Sequence, residues 1–438
     1  MKKLINYLKV AYWLYGSVVR EHTNHGRVFS FLSSQTKPFS KFPISMPWFK
    51  PSQAKSLLNP MPWFVSPRNK KHYKFLSLFF FLISCSIYLK AQQSNAVSQT
   101  EMEKIYQEIK TPFKYGLVMV PNDIDHKMDC PTIFRKGKFW YMTYLIYSGR
   151  GYETWLAKSK DLLNWENQGK LMSFGDAGNW DDNQKAGYNA LQNIEWGGSY
   201  KLGKFDGKYW MSYFGGKEKG YETEPLSIGM AYALKDPSTV QEWTRLPKPV
   251  LTSADADVRW WENRNKLFKS TVIEDKQRFT GHPFVMYYNA VGDSLANNKK
   301  TRWYERIGMA VSDDMVHWQR FQKDPVVHHP VGITGDGVIQ KIGRNYVMFY
   351  FGAFWQDRKG AFNRFAVSKD LINWTDWTGD NLIESSEKYD ALYAHKSFVL
   401  KYKGVVYHFY CAVNKQDQRG IAVATSKDLG KSKVEFVK

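Results

Sequence analysis

Cysteine is scarce in this chain, which has only Cys85, Cys130 and Cys411 among its 438 residues. So few cysteines exclude a small domain held together by disulfides, and a domain of this size does not need such bridges. No group of cysteines and histidines has the spacing of a structural zinc site, so no metal site is predicted. We expect Cys130 and Cys411 to be free buried thiols, with a disulfide between them as the alternative.

Acidic residues are almost absent from the first 95 positions, which hold 14 Lys and Arg residues and one acid, Glu21. This segment therefore carries +13 of the formal net charge of +21. Residues 1–60 also lack a sustained hydrophobic period, which favours an upstream extension that is not native, with Met61 as the true start. A basic arm for nucleic acid is the alternative for such a charge. The missing pattern argues against it, and no nucleic-acid partner is predicted.

No apolar run is long enough to span a bilayer comfortably, so no membrane span is predicted. The clearest candidate, Phe75–Leu89, follows the basic stretch Arg68–Lys74 and precedes Ala91. This order is typical of a secretory signal peptide, which we place at residues 61–91. The protein is then secreted or periplasmic. The alternative is an outer-membrane lipoprotein with a lipid anchor at Cys85, which follows Leu-Ile-Ser.

The sequence does contain a module of roughly sixty residues that occurs five times. Its second strand is found at Phe139–Leu145, Gly207–Phe214, Pro283–Asn289, Tyr346–Phe351 and Val405–Tyr410. Aromatic and β-branched runs closed by Gly or polar turns indicate antiparallel strands, and their fivefold recurrence indicates propeller blades. We predict an all-β fold, a five-bladed β-propeller over residues 115–438. Residues 92–114 form an N-terminal segment with a short amphipathic helix over 101–110.

A Ser-x-Asp turn follows the third strand of four modules, with its aspartate at Asp161, Asp314, Asp370 and Asp428. A Trp stands four residues after each of the first three aspartates. Ser and Asp oxygens accept hydrogen bonds from turn amides, and the Trp can fill the space between neighbouring sheets. We interpret this motif as structural rather than catalytic.

Polar residues open the first strand of every module, where we expect the innermost strands to start around a central funnel. These positions are Asp129, Glu195–Ser199, Lys269–Thr271, Asp336 and His395–Lys396. Carboxylates in proximity raise one another's pKa, which suits a general acid that faces a general base. We predict Asp129, Glu195 and Asp336 as catalytic residues, and Lys269 and His395 as substrate-binding residues.

Long loops place aromatic and charged side chains around this funnel. They are Trp180–Gln184, Tyr221–Glu224, Arg259–Glu262 and Trp303–Arg306. Aromatic faces stack on sugar C–H surfaces while acids and amides bind hydroxyls, so the mixture indicates a carbohydrate cleft. The alternative for the aromatics is packing between blades. Further predicted substrate-binding residues are Trp196, Arg259, Trp260 and Glu262.

The modules, the acid before Pro131–Phe134 and the Gly-Lys-aromatic hairpins resemble the five-bladed propeller glycosidases, glycoside hydrolase family 43 and its relatives, families 117 and 32. The resemblance covers nearly the whole mature chain. It implies that Asp129 is the general base of an inverting hydrolysis. The second-blade Asp and third-blade Glu of family 43 have no match, and Lys269 lies near the position of that Glu. We therefore expect Glu195 to be the acid, followed by Asp336 or His395.

These observations predict a secreted glycoside hydrolase that uses general acid/base catalysis on an oligosaccharide or polysaccharide. A carboxylate separation of roughly 6.5–9.5 Å would indicate inversion and about 5 Å retention. Cationic residues such as Lys269 and Arg264 suggest an acidic glycan, or a phosphate site and hence a glycoside phosphorylase. A non-catalytic carbohydrate-binding propeller is the other alternative. No cofactor is required, an axial structural cation such as calcium stays open, and the oligomeric state is not predicted.

Overall fold

The computed structural model describes residues 96–175, 178–292, 304–358 and 360–438. The predicted extension (1–60), the predicted signal peptide (61–91) with Cys85, and Trp303 lie outside these ranges. No helix within the described ranges is both long and apolar enough to cross a membrane.

The described residues form almost exclusively β-structure, with one helix, α1 (Gln99–Ile109), and a 3₁₀ turn at Lys388–Asp390. The strands in chain order are β1 (Phe113–Met119), β2 (Lys127–Lys136), β3 (Phe139–Tyr147), β4 (Tyr152–Ser159), β5 (Trp165–Met172), β6 (Gln184–Asn189), β7 (Tyr209–Gly216), β8 (Leu226–Ala233), β9 (Thr244–Arg245), β10 (Leu267–Glu274), β11 (Phe284–Val291), β12 (Tyr304–Ser312), β13 (Trp318–Arg320), β14 (Gly332–Ile342), β15 (Asn345–Ala353), β16 (Ala361–Ser368), β17 (Trp374–Asp376), β18 (Ile383–Glu384), β19 (Tyr393–Tyr402), β20 (Val405–Val413) and β21 (Arg419–Thr425). The prediction of an all-β fold with a short N-terminal helix is confirmed.

The strands pair as antiparallel groups in the order of the chain. Strands β2–β5 make one four-stranded sheet and β6–β9 another. Strands β10–β13 and β14–β18 are joined into one nine-stranded sheet by a short parallel pairing of β12 with β14. In the fourth sheet, β1 pairs with β21, so the two ends of the folded region share one sheet. The arrangement is propeller-like.

Five strands, β2, β6, β10, β14 and β19, each begin a group and lie at an edge of the antiparallel pairing. Most of them also contact one another from group to group, β6 with β10, β10 with β14, β14 with β19 and β19 with β2. These inner strands carry the side chains that form the site described below.

Helix α1 packs on the outside of the β-structure through one apolar face. The buried residues of that face are Met102, Ile105 and Ile109. They lie three and four residues apart, which is the spacing of one helical stripe. The same hydrophobic cluster includes Phe349 on β15 and Phe365 on β16.

The Ser-x-Asp turns have the structural role that the sequence predicts. In the first of them, Asp161 Oδ1 accepts hydrogen bonds from the backbone N–H groups of Leu163 and Asn164. The indole of Trp165 donates to the carbonyl of Leu162 at 3.0 Å. The same contacts recur in the turns of Asp314 and Asp370.

Candidate active site

A pocket of about 350 Å³ lies where the inner strands converge. Its apolar lining includes Leu145, Tyr152, Tyr188, Phe214, Phe268, Phe351 and Tyr393. Its polar lining includes Cys130, Glu222, Lys269, Asn289, Glu305, Asp336, His395, Lys396 and Arg419. A concave, mostly aromatic wall with a few convergent charged groups is the usual form of a small-molecule site.

A β-bulge recurs at one place in four inner strands, and its residues line the pocket. The register is interrupted after Asp129 in β2, before Ser270 in β10, after Gly335 in β14 and after His395 in β19. Cys130, Asp336 and Lys396 have positive φ angles of 48°, 58° and 60° there. A bulge adds one residue to a strand and redirects its side chains. Here it turns three polar groups into the pocket.

Asp129 is fully buried, and its carboxylate is held by two neighbours. Oδ2 accepts a hydrogen bond from Tyr152 Oη at 2.9 Å and one from Lys396 Nζ at 2.7 Å. Burial opposes its ionisation, but the positive charges of Lys396 and Arg419 outweigh this and hold the pKa of Asp129 well below its usual value. Asp129 is therefore a carboxylate beneath the pocket wall, not among the lining residues.

Arg419 extends the same charge network to the mouth of the pocket. Its Nη1 lies 3.6 Å from Asp129 Oδ2 and donates a hydrogen bond to Tyr221 Oη at 2.8 Å. Its guanidinium also stands 4.9 Å from the centroid of the Tyr221 ring. The pair fixes the loop on which Glu222 follows.

Glu222 presents a carboxyl group to the pocket from the loop before β8. Its side chain is 18% exposed, and its Oε1 lies 4.0 Å from Lys396 Nζ. Burial raises the pKa of Glu222 above the usual value, and the charge of Asp129 adds to this although Lys396 opposes it. A carboxyl group with a raised pKa is suited to protonate a leaving group.

Two further carboxylates line the same pocket. Glu305 is buried on β12, opposite Ile333 in the parallel pairing. Asp336 is fixed by Asn289, whose Nδ2 donates to Asp336 Oδ1 at 2.8 Å and whose Oδ1 accepts from the Asp336 N–H at 2.9 Å. The thiol of Cys130 lies 3.6 Å from Asp336 Oδ2. The pocket thus contains one carboxyl group with a raised pKa and two other acids.

The structure brings four of the predicted site residues to this region. Asp336, Lys269 and His395 line the pocket, and Asp129 lies beneath it. Lys269 is buried, with no hydrogen-bond partner for its ammonium in the described part of the chain. His395 Nδ1 contacts the Cys411 carbonyl at 3.2 Å, and burial lowers the pKa of His395 to about 3, so it is neutral at neutral pH.

Glu195 and Trp196 are not brought to the pocket, because the inner strand of their group is β6 and ends before them. Glu195 lines a separate cavity and accepts a hydrogen bond from Lys341 at 3.0 Å. The Trp196 indole donates to Glu108 on α1 at 2.7 Å. The expected convergence of every first-strand opening therefore needs correction at this position.

Arg259, Trp260 and Glu262 also lie away from the lining residues. Glu262 is fully buried, where it pairs with Arg320 and accepts a hydrogen bond from Tyr288 at 2.7 Å. Arg259 donates to the backbone carbonyls of Arg320 and Gln322. The Trp260 indole contacts Asp324 at 3.2 Å. Their described contacts are those of a structural cluster between β10 and β13.

Glu222 and Glu305 are site residues that were not predicted from the sequence. Both lie in the loops that mark the edge of the predicted carbohydrate cleft, Tyr221–Glu224 and Trp303–Arg306. The usable signal was an acid directly after an aromatic residue, Tyr221-Glu222 and Tyr304-Glu305. Strand openings alone could not show which of several loop acids point inward.

One group of potential metal ligands occurs in the described ranges, Asp129, His395 and Cys411, whose ligand atoms lie within 4.8 Å of one another. All three are buried, and the thiols of Cys130 and Cys411 are free, as predicted. Calcium prefers six to eight oxygen ligands, whereas this group offers one carboxylate already paired with Lys396. These residues therefore do not suit the axial calcium that the sequence left open.

A propeller-like β-fold whose central pocket gathers several acids defines a carbohydrate-active enzyme with acid/base chemistry. The solved structures give the family. One described as "Glycoside hydrolase" is 51% identical, with a TM-score of 0.75 over 78% of this chain and 99% of that one. Another, described as a complex of BT0996 with RGII, is 52% identical, with a TM-score of 0.76 over the same shares. The protein belongs to the glycoside hydrolases.

A more distant structure shares the fold. It is described as "Zg3597, a family 117 glycoside hydrolase, produced by the marine bacterium Zobellia galactanivorans", and is 14% identical with a TM-score of 0.52 over 73% of this chain and 91% of that one. No protein-family model matches the sequence, and no curated protein does. The predicted resemblance to glycoside hydrolases is confirmed.

Proposed function

We propose that this protein is an exported glycosidase, and that its strand groups are five blades around the pocket of Glu222, Glu305 and Asp336. Glu222 protonates the departing glycosidic oxygen. Glu305 is the second carboxylate, which activates water or attacks the anomeric carbon. The observation that carries this proposal is that Glu222 and Glu305 enter one pocket from different strand groups and that burial raises the pKa of Glu222.

Glu305 is favoured over Asp336 as the second carboxylate because of what surrounds each group. Asp336 is bound on both sides by Asn289 and approached by the Cys130 thiol, which suits a fixed acceptor for a sugar hydroxyl. Glu305 lies on β12 next to the aromatic and aliphatic wall, where a sugar ring would rest. Two carboxyl groups on either side of a glycosidic bond are the minimal machinery of most glycosidases.

Asp129, which is predicted from the sequence to be the general base, has a different role in this proposal. Its carboxylate binds Lys396 and Tyr152 beneath the wall. We assign it as a positioning residue that holds the Lys396 ammonium near Glu222. Loss of Asp129 would then act through Lys396.

The substrate class is proposed from two observations. The 52% identical relative is described as a complex with RGII, and we propose that this protein acts on RGII as well. The buried ammonium of Lys269, which has no hydrogen-bond partner in the described residues, supports a substrate oxygen at that point, either a hydroxyl or the carboxylate of an acidic glycan.

Hydrolysis of RGII and of a panel of neutral and acidic oligosaccharides tests the proposal. Glu222→Gln and Glu305→Gln are each expected to lower kcat/KM by at least about 100-fold, the lower end of what a positioned acid or base contributes. Glu274→Gln is a matched control because Glu274 is exposed at the other end of β10.

Several outcomes would contradict the assignment. If Glu195→Gln abolishes hydrolysis while Glu222→Gln does not, the acid predicted from the sequence is the correct one. Release of a sugar phosphate only in the presence of inorganic phosphate would identify a phosphorylase. Nuclear magnetic resonance of the first-formed anomer distinguishes inversion from retention.

A further inference from the structure

A strained and exposed aromatic residue lies at the mouth of the pocket, in the turn between β15 and β16. Phe354 lines the pocket, yet 55% of its surface is exposed. Its φ angle is +57°, which a bulky residue rarely adopts. A strained position that exposes a large apolar ring has a cost in stability, and such positions concentrate at ligand sites.

The neighbouring residue explains how the turn keeps this conformation. Trp355 is buried, its indole donates to the Ile333 carbonyl at 2.7 Å, and its ring stacks on His329 with a centroid distance of 4.0 Å. The Phe354 N–H also binds the Gly360 carbonyl at 3.3 Å. The turn is therefore anchored by Trp355, and the orientation of Phe354 toward the mouth is built into the fold.

A second aromatic ring stands beside the first. The Tyr393 ring, at the start of β19, is 6.0 Å from the Phe354 ring with an interplanar angle of 85°. Tyr393 is partly exposed and also lines the pocket. We call Phe354 and Tyr393 the mouth pair. Two rings at right angles form a corner that can hold the apolar face of one sugar ring against a wall.

The surface beyond the mouth pair is polar. A cavity of about 530 Å³ is lined by residues that include Ser386, Lys388, Ala391 and Gln416. Ala391 is two residues before Tyr393, so this cavity continues from the mouth pair. A glycan that leaves the pocket past Phe354 would find hydroxyl, amide and ammonium groups for its next units.

We propose that the mouth pair stacks on the sugar next to the scissile bond, on the leaving-group side, and that it selects oligosaccharides over single terminal sugars. This inference rests on the proposed glycosidase function. In the proposed arrangement the terminal sugar occupies the pocket of Glu222 and Glu305, and the following sugar lies against Phe354.

The test compares Phe354→Ala with wild type on RGII, or on the panel oligosaccharide that wild type cleaves. KM for the oligosaccharide is expected to rise about 3- to 10-fold, the effect of losing one aromatic contact, with kcat within about twofold. The inhibition constant of the released monosaccharide, which fills only the pocket, is expected to stay within about twofold. Phe354→Tyr keeps the ring and is expected to retain the wild-type KM.

Phe279→Ala is the matched control. Phe279 is also exposed, at 42%, but lies in the turn between β10 and β11 beside Tyr346, at the end of β10 away from Lys269. It is expected to leave KM unchanged.

An unchanged KM in Phe354→Ala, or an equal rise in the monosaccharide inhibition constant, would overturn the assignment to the leaving-group side. If wild type cleaves no oligosaccharide, the proposed function itself fails. An active wild type with an unaffected Phe354→Ala variant refutes the stacking contact alone.

Discussion

Replacement of Lys396 with methionine is expected to move the alkaline limb of the pH profile of kcat/KM to higher pH. The ammonium of Lys396 stands between Asp129, at 2.7 Å, and Glu222, at 4.0 Å. Its positive charge lowers the pKa of Glu222, against the larger effect of burial, which raises it. A general acid works only while protonated, so activity is lost as pH rises through its pKa. Removal of the cation raises that pKa and extends activity toward alkaline pH.

The size of the shift follows from the distance between the charges. Two unit charges 4 Å apart interact by about 1 kcal/mol in bulk water and about 4 kcal/mol at the effective dielectric constant of a protein surface. Since about 1.4 kcal/mol corresponds to one pKa unit, the alkaline limb should move up by about 0.7 to 3 units. The partly exposed side chain of Glu222 favours the lower part of this range.

The assay is kcat/KM as a function of pH on the oligosaccharide that wild type cleaves. Because Lys396→Met leaves Asp129 as a buried carboxylate without its ammonium, the double variant Asp129→Asn/Lys396→Met removes both charges. The charge of Asp129 raises the pKa of Glu222, so the alkaline limb of the double variant should lie between wild type and Lys396→Met. Lys341→Met is the control, since Lys341 pairs with Glu195 outside the pocket.

Two results would refute this reasoning. An alkaline limb that stays in place in Lys396→Met means that Lys396 does not influence the acid or that Glu222 is not the acid. A limb that moves equally in the single and double variants means that Asp129 is not electrostatically coupled to the site.

Two stability predictions distinguish structural from functional charges. Glu262→Gln should lower the free energy of unfolding by about 3–5 kcal/mol, because it leaves Arg320 buried without its full counter-charge, and KM should not change; a stable variant with a raised KM would restore the substrate-binding role predicted from the sequence. Lys269→Met should raise the free energy of unfolding by about 1–3 kcal/mol, because it removes a buried ammonium that lacks a hydrogen-bond partner in the described residues, while KM rises; chemical denaturation and steady-state kinetics measure both, and a destabilised variant with normal KM would show that the ammonium is structural.

The strands and turns could be predicted because their signals are local. Each second strand is a run of aromatic and β-branched residues, and each Ser-x-Asp turn satisfies its own backbone amides, as the contacts of Asp161 show. Such patterns are set by neighbours in sequence. The helix α1 was equally accessible, because its buried residues repeat at helical spacing.

The inner strand of the second group was misplaced because β6 has no such signal. Its sequence, Gln-Lys-Ala-Gly-Tyr-Asn, is mostly polar or small, although every residue is buried. Gly187 is required there, since an added Cβ would come within about 3.0 Å of the side chains of Met211, Met172 and Thr154. Burial among neighbouring strands, not propensity, makes this segment a strand. As a result, Glu195 was taken for a strand opening.

The carboxylates of the site could not be ranked from the sequence, because depth and pairing are tertiary properties. Asp129, Glu222 and Glu262 look alike as acids beside aromatic or strand residues. The structure separates them by their partners, which are Lys396 for Asp129 and Arg320 for Glu262. Glu222 keeps a raised pKa because its cation is more distant and already shared.

The inner strands carry features that stability alone does not explain. Cys130, Asp336 and Lys396 are the non-glycine residues within the described strands that have positive φ, a conformation that costs about 1–3 kcal/mol each. A buried ion pair such as that of Lys396 is no more stabilising than well-packed apolar residues of similar volume. The same device nevertheless recurs at equivalent bulges in three strands, and all three side chains line one pocket. Costly backbone and buried charge therefore mark this pocket as the active site independently of any motif, and neither feature occurs at Glu195, whose described contacts lie at the surface.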